Sequence, residues 1–387
     1  MKSLRLIFRY ERYFAVVWVF CSLNIMIGTW VLYIPQVKEK LKLDDSQIGI
    51  ALFCLALGSL SIISFLPWIT KKIGLGRCTF FGICIFSIMF IFPVMMTSFL
   101  SLCISLFVVG MFSGFTDIAM NTLVSEIEKR DNVNIMSSAH GFFSLGGAIG
   151  AVIGMILMPV IKTPFIHSLI MAGLVIIVNV FLFKSYYFIK ETHVEKTRKK
   201  DSFKLYTPLI ILALLAFIVM GNEGAIEQWS SIYLKDVVKV SSQNLFGLGF
   251  TIFSITMTIG RFLGDGISDK IGSVKVIISG CVFATIGYIL VLSNILLLTV
   301  AGFGIIGLGF SVIVPELVRL AGKTKSVSAS KSIAFVTGSG FAGFLIGPII
   351  MGYISDAFSL KTSFSFLLAM TTLAVIVSTL FLKLKKI

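Results

Sequence analysis

Twelve apolar runs of about 20 residues divide this 387-residue chain, and no other feature limits its fold so severely. A run of that length matches the hydrocarbon thickness of a bilayer. Inside lipid every backbone N–H and C=O must find its partner within the protein, so each run is expected as a membrane-crossing α-helix. Hydrophobic residues make up 57% of the chain and charged ones 13%, outside the balance of soluble domains. The expectation is an all-α membrane protein with twelve transmembrane helices.

The formal charge of +15 invites a nucleic-acid reading, and its distribution removes it. Most of the 33 Lys and Arg fall in segments that are cytoplasmic if the N-terminus is, which is the positive-inside bias. Residues 1–12 and the apolar run behind them look like a secretory signal. That run continues to Ile34 without a small-residue cleavage site, so it is expected as the first retained span. The six cysteines lie within or at the ends of apolar runs, without metal-ligand spacing, and are expected to pack. There is no nucleotide-binding loop, metal cluster or nucleophile placed with a base. No enzyme activity, metal or cofactor is expected.

The second half repeats the first. Lys72-Ile73-Gly74 returns 198 positions later as Lys270-Ile271-Gly272, and Gly49 returns as Gly247. Gly114-Phe115 matches Gly309-Phe310 at 195, and Trp30 matches Trp229 at 199. Six spans plus six spans with matching turns indicate an internal duplication. The expected units are an N-terminal six-helix bundle over 1–188, a charged cytoplasmic linker over 189–205, and a C-terminal six-helix bundle over 206–387. Span 1 is expected over 14–34, ended by Pro35, and span 4 over 99–124. Span 7 is expected over 207–234 and span 10 over 295–319.

Two carboxylates inside span 7 mark the strongest candidate site. The stretch 221–234 reads GNEGAIEQWSSIYL, and Glu223 and Glu227 are four apart on one helix face. An ionisable group at bilayer depth costs a few kcal/mol or more, so it persists where it faces a cavity or a partner. Asp117 in span 4 sits on one face with Ser113 and Asn121. Burial favours the protonated form of a carboxylate, so Asp117 and Glu223 are candidate proton carriers. The competing reading for Asp117 is a structural pair with Lys or Arg. His140 at the start of span 5 could relay a proton to Asp117 or serve as a helix-end capping group. Glu227 is a candidate substrate contact or an acid paired with Lys235 or Lys239.

Asn24, Asn121, Asn222, Gln228 and Asn179 are neutral hydrogen-bonding groups at membrane depth. They could bind a hydroxylated solute or join helices. Trp30 and Trp229 offer stacking faces to a sugar ring, or belong to the interfacial aromatic belt. Gly146, Gly150 and Gly154, and Gly343 and Gly347, recur every four residues, which lets helix backbones approach closely.

The duplicated layout with a basic mid-chain loop resembles the major facilitator superfamily. DGISDKIG over 265–272, preceded by Gly260 and Arg261, is similar to that family's signature between helices 8 and 9. PWITKKIG over 67–74 matches more loosely, with Lys71 where the signature has an acid. The resemblance implies two pseudo-symmetric six-helix bundles around a cavity lined by spans 1, 4, 7 and 10. It also implies a cytoplasmic gate built from Lys72, Gly74, Arg261, Asp265, Asp269, Lys270 and Gly272. TDIAMN in span 4, AHGFFSLGGAIGA in span 5, GNEG with Trp229 in span 7, and GTWVLYIPQVKEKL in span 1 resemble a bacterial inner-membrane branch related to fucose permease. That branch consists of sugar or metabolite transporters.

The implied activity is secondary active transport of a small polar solute, a sugar or related metabolite, by proton-coupled symport. Its expected site is Asp117, Glu223 and His140 for protons and Asn24, Trp30, Asn121, Asn222, Glu227 and Trp229 for substrate. Export of an amphiphilic compound stays open, given 36 Phe. A membrane sensor or scaffold is a third reading, which a long soluble domain would favour. The expected partners are a small-molecule substrate, protons and the lipid bilayer, with no nucleic acid, for a monomer in the bacterial inner membrane with both termini cytoplasmic.

Overall fold

The computed structural model describes residues 2–62, 65–190, 209–324 and 329–384. Among them are twelve helices long and apolar enough to cross a membrane. In chain order these are α1 (Glu11–Val31), α2 (Asp45–Ile62), α3 (Leu75–Met89), α4 (Phe99–Asp131), α5 (Met136–Leu157), α6 (Pro164–Leu182), α7 (Ile210–Asp236), α8 (Leu248–Ile271), α9 (Ser273–Val291), α10 (Leu296–Gly322), α11 (Ala329–Ala357) and α12 (Leu360–Leu384). An even number of crossings puts both ends of the chain at one face of the bundle, called here the termini face; the other is the far face. The linker expected over 189–205 lies, beyond Lys190, outside the described residues.

Three boundaries differ from the sequence reading. Pro35 does not merely end span 1; it occupies the first turn of a short helix, Ile34–Leu41, on the far face. Proline suits that position because a first-turn N–H has no intrahelical partner. Span 4 does not stop at 124. α4 has 33 residues, about 50 Å at 1.5 Å per residue, well beyond the roughly 30 Å of hydrocarbon. The polar residues after Val124 are good helix formers, and the helix ends only at Asn132, in the left-handed conformation at φ 51°. Span 10 is broken, with Leu296–Phe310 and Ile313–Gly322 as separate helical segments. Pro315 has no N–H to give the Ser311 carbonyl, which removes a bond where the helix breaks.

Each half uses the same pairing plan. α1 packs on α5 as α7 packs on α11, and α2 packs on α4 as α8 packs on α10. The glycine ladders explain the first pair of matches. A Cβ on Gly146 would lie 2.0 Å from the Cys21 carbonyl oxygen, and one on Gly343 would lie 2.0 Å from that of Phe217. At both seams the backbones touch through the missing side chain. The repeated Lys-Ile-Gly turns also match in conformation. Gly74 has φ 100° and Gly272 has φ 85°, a region glycine alone enters freely.

The halves meet through α5 against α8 and α2 against α11. At the far face, charge joins them. Lys38 lies 3.1 Å from Asp236, and Lys235 lies 2.6 Å from Glu39. Lys38 also pairs with Asp45 of α2. The Asp356 carboxylate on α11 accepts from the backbone N–H groups of Asp45 and Ser46, at 2.9 and 2.8 Å. Among the described residues, both ion pairs between the halves are at this face.

Candidate functional site

Within the membrane one arginine and two acids lie together on α7 and α8, where α8 packs on α5. Glu223 lies on α7, one turn from Glu227, on the side away from the glycine seam with α11. Arg261 of α8 reaches it, with Nη2 3.0 Å from Glu223 Oε1. The Arg261 Nη1 donates to the His140 carbonyl oxygen at 3.1 Å and to Ser144 Oγ, both on α5. One guanidinium therefore neutralises an acid of the second half while holding the backbone of the first. Both side chains are largely buried, at 12% exposure for Arg261 and 15% for Glu223. In that setting a charge-assisted pair is stronger than at a surface.

Arg261, expected with the gate turn, lies one helical turn inside Asp265 and pairs with Glu223, because a largely buried guanidinium must be paired. Of the remaining gate residues, Gly74 and Gly272 make the two turns and Lys270 is exposed. Lys72 sits over the ring of Trp68, 5.4 Å from its centroid. Asp265 and Asp269 belong to α8, and their side chains lie outside the described residues.

Asp117 sits on α4 with Asn121 one turn along. The Asn121 Nδ2 donates to the Asp117 carbonyl oxygen at 2.8 Å and to its Oδ1 at 3.2 Å. Among the described residues Asp117 has no basic partner, so the competing structural pair with Lys or Arg does not form there. Glu227 is 9% exposed and likewise has no ion pair among the described residues. Lys235, its expected mate, is taken by Glu39. His140 is exposed, and its ring packs edge-on against Phe20 with centroids 5.5 Å apart. No hydrogen bond joins it to Asp117 among the described residues.

The neutral candidates divide. Asn24 on α1 donates to the Phe143 carbonyl of α5 at 2.9 Å, and its own carbonyl oxygen is buried without a partner among the described residues. Asn222 turns away from the acids, into its own half. It donates to the Ile218 carbonyl and accepts from Tyr288 of α9, both at 2.8 Å. Asn179 joins α6 to Ser22 of α1 at 2.8 Å. Gln228 keeps a buried, unpartnered carbonyl oxygen among the described residues. Both tryptophans are packed rather than presented to a solute. Trp229 is fully buried and donates to the Pro348 carbonyl at 3.1 Å, and Trp30 is 5% exposed, edge-on to Phe90. Helix rotation decides these matters, and spacing along the chain does not fix it.

Two polar features escaped the sequence reading. Glu316 on α10 is buried and pairs with Arg319 at 3.2 Å, while Arg319 donates to Ser268 of α8 at 3.0 Å. The fully buried His167 on α6 shares a 2.8 Å hydrogen bond with the hydroxyl of Tyr33. Ionisable residues inside apolar runs were the available signal for both.

Comparisons with known proteins agree with this architecture. The chain matches the Major Facilitator Superfamily over residues 15–245 and 240–386. It is 28% identical to an uncharacterized MFS-type transporter of Yersinia pestis over 345 residues, covering 87% of each chain. It is 27% identical to the membrane protein MosC of Rhizobium meliloti over 378 residues, covering 95% of this chain and 89% of that one. Among solved structures, a single-residue mutant of the nucleoside transporter NupG superposes with a TM-score of 0.71 at 14% identity, covering 96% of this chain and 99% of that chain. A bacterial homolog of the human lysosomal transporter Spinster, in its inward-facing and occupied conformation, gives 0.68 at 15% identity, covering 95% of each. With twelve crossing helices in two matched halves and the family match running through both, this chain belongs to the Major Facilitator Superfamily of membrane transporters.

Proposed function

We propose that this transporter moves a small polar solute, a sugar or related metabolite, by alternating access coupled to protons in symport, as its likeness to the fucose-permease-related branch implies. The observation that carries the reading is the group of carboxylates inside the membrane. Glu223 is matched by one Arg261, while Asp117 and Glu227 have no basic partner among the described residues. A carboxylate without a cation at that depth is costly unless it takes a proton or faces a ligand. Asp117 and Glu223 exchange protons as the halves move, and Arg261 is the ion-pair partner of Glu223 in the present conformation. Asn24, Asn121 and Glu227 supply hydrogen-bond partners to the solute. The termini face is cytoplasmic, the membrane is the bacterial inner membrane, and one chain is the working unit.

The test uses purified protein in vesicles. A thermal-shift screen against a metabolite library first finds a ligand, since binding to the folded form alone raises its melting temperature. Asp117→Asn and Glu223→Gln are then compared with the native chain for uptake driven by a pH gradient and for exchange of solute without one. Loss of gradient-driven uptake with exchange retained supports the proton assignment. Gradient-driven uptake that survives in both variants rejects it.

A further inference from the structure

Apart from the acid site, the first half contains a crevice that the transport reading leaves unused. α2 and α3 both pack on α4, which floors a cavity of about 370 Å³ between them. Ile62 of α2, Phe81 and Ile85 of α3, Met111 and Phe115 of α4, and Ile69 from the short helix Leu66–Ile73 line it. All its lining side chains are apolar, and Phe81 is 46% exposed. On a membrane-crossing helix an exposed apolar side chain faces lipid, so the crevice opens toward acyl chains and not toward the solute path.

The mouth of this crevice at the termini face is basic. Lys71, Lys72 and Arg77 are all exposed. Lys72 Nζ lies 5.4 Å from the Trp68 ring centroid, and the Arg77 guanidinium lies 5.0 Å from that of Tyr187. None of the three has a carboxylate within ion-pairing distance among the described residues. No neighbour along the chain could supply one, since the sequence has no Asp or Glu between Asp45 and Asp117. The equivalent turn of the second half, DGISDKIG, contains Asp265 and Asp269. Orientation by positive charge accounts for basic residues at such a turn. It does not account for an acid-free turn beside an apolar crevice and a 66% exposed Trp68.

We propose that the crevice is a site for an anionic phospholipid of the termini-face leaflet. One acyl chain lies between α2 and α3, and the phosphate is held by Lys71, Lys72 and Arg77. Charge complementarity selects this occupant. Three cations without carboxylate partners among the described residues match a phosphodiester at the depth where anionic headgroups lie, and Trp68 sits at the interface as an amphipathic ring does.

Trp68 supplies the measurement. Trp30 and Trp229 are buried and Trp18 is partly buried, which leaves Trp68 as the exposed member of the four tryptophans. The full chain is placed in phosphatidylcholine bilayers containing a minor fraction of either brominated phosphatidylglycerol or brominated phosphatidylcholine. The expected result is several-fold stronger quenching per lipid by the brominated phosphatidylglycerol. That preference disappears in the Lys71→Gln/Lys72→Gln/Arg77→Gln variant, and the quenched emission disappears in Trp68→Phe. Soluble glycerol phosphate does not compete, because it has no chain to bury. Equal quenching by the two lipids, a preference that survives in the triple variant, or competition by glycerol phosphate would each overturn the proposal. The three basic residues are exposed and unpaired by carboxylates among the described residues, so their replacement leaves the fold intact.

Discussion

Lys38 of the first half lies 3.1 Å from Asp236 of the second, and the next residue in the first half, Glu39, meets the preceding residue in the second, Lys235, at 2.6 Å. Each half thus presents a lysine followed by an acid, and the two dipeptides pair crosswise. The expected consequence is a clasp that closes the far face in this conformation.

Reversing one charge tests that clasp. Lys235→Glu puts two carboxylates together at Glu39, and the pair with Glu39→Lys restores attraction with the signs exchanged. Partly exposed pairs are worth about 0.2–1 kcal/mol each, so the single change shifts the open fraction by a few-fold and the double change reverses the shift. Labelling of a cysteine at Gln243 by a membrane-impermeant maleimide reads the opening, since Gln243 bonds Gln36 across the halves at 3.3 Å.

The clasp also predicts a pH dependence. The hydrogen bond from Lys235, together with its charge, holds the Glu39 carboxyl below its ordinary value of 4.5. A carboxyl depressed in the clasped state stabilises that state above its unclasped value, and the contribution is lost as pH falls through the depressed value. Lys38 works from the other side. Burial lowers its pKa, but the hydrogen bonds and charges of Asp45 and Asp236 outweigh that and raise it above 10.5, so its contribution persists throughout the neutral range. Dipolar broadening between spin labels at Gln36→Cys and Gln243→Cys should stay constant near neutrality and weaken only below pH 4.5.

Arg261 and Glu223 should behave as a coupled pair. Arg261→Gln leaves a largely buried carboxylate unpaired and breaks two bonds to α5, which should lower stability by about 3 kcal/mol. Adding Glu223→Gln removes the unpaired charge, so the double variant should recover part of the loss. Chemical denaturation of all four proteins gives the coupling energy. Additive losses would show that the two groups do not interact.

The glycine seams predict opposite outcomes for similar substitutions. Gly146→Leu or Gly343→Leu drives a side chain into a carbonyl oxygen that is 2.0 Å from an added Cβ, with an expected loss of about 1–3 kcal/mol or failure to fold. Gly173→Ala on α6 meets nothing within 4 Å and should hold or raise the melting temperature, because alanine favours helix.

Much of this fold was legible before any coordinates. Long apolar runs locate crossings because lipid leaves the backbone no alternative, and the repeat of Lys-Ile-Gly located equivalent turns. The acids of α4 and α7 stood out because charge is rare in such runs. The partnership of Arg261 with Glu223 was not legible, since the surrounding motif assigned the arginine to a turn and nothing in spacing shows which way α8 faces α7. The burial of Trp30 and Trp229 was not legible for the same reason. The crosswise pairing of Lys38 and Glu39 with Asp236 and Lys235 depends on how the halves approach, which no local pattern encodes. Trp229 offers a check on the rotational point. Trp229→Phe should cost about 1 kcal/mol through loss of the bond to Pro348, with ligand affinity in the thermal-shift assay unchanged.

α7 holds Lys235 and Asp236 at one end and Glu223 thirteen residues away, about 20 Å along a continuous helix. A rod of that length acts as a lever. If it swings when Lys235 lets go of Glu39, a few degrees of tilt move its midsection by an ångström or so, enough to separate two groups that now touch at 3.0 Å. Events at the mouth and events at the acid would then be one movement, transmitted without any intermediary.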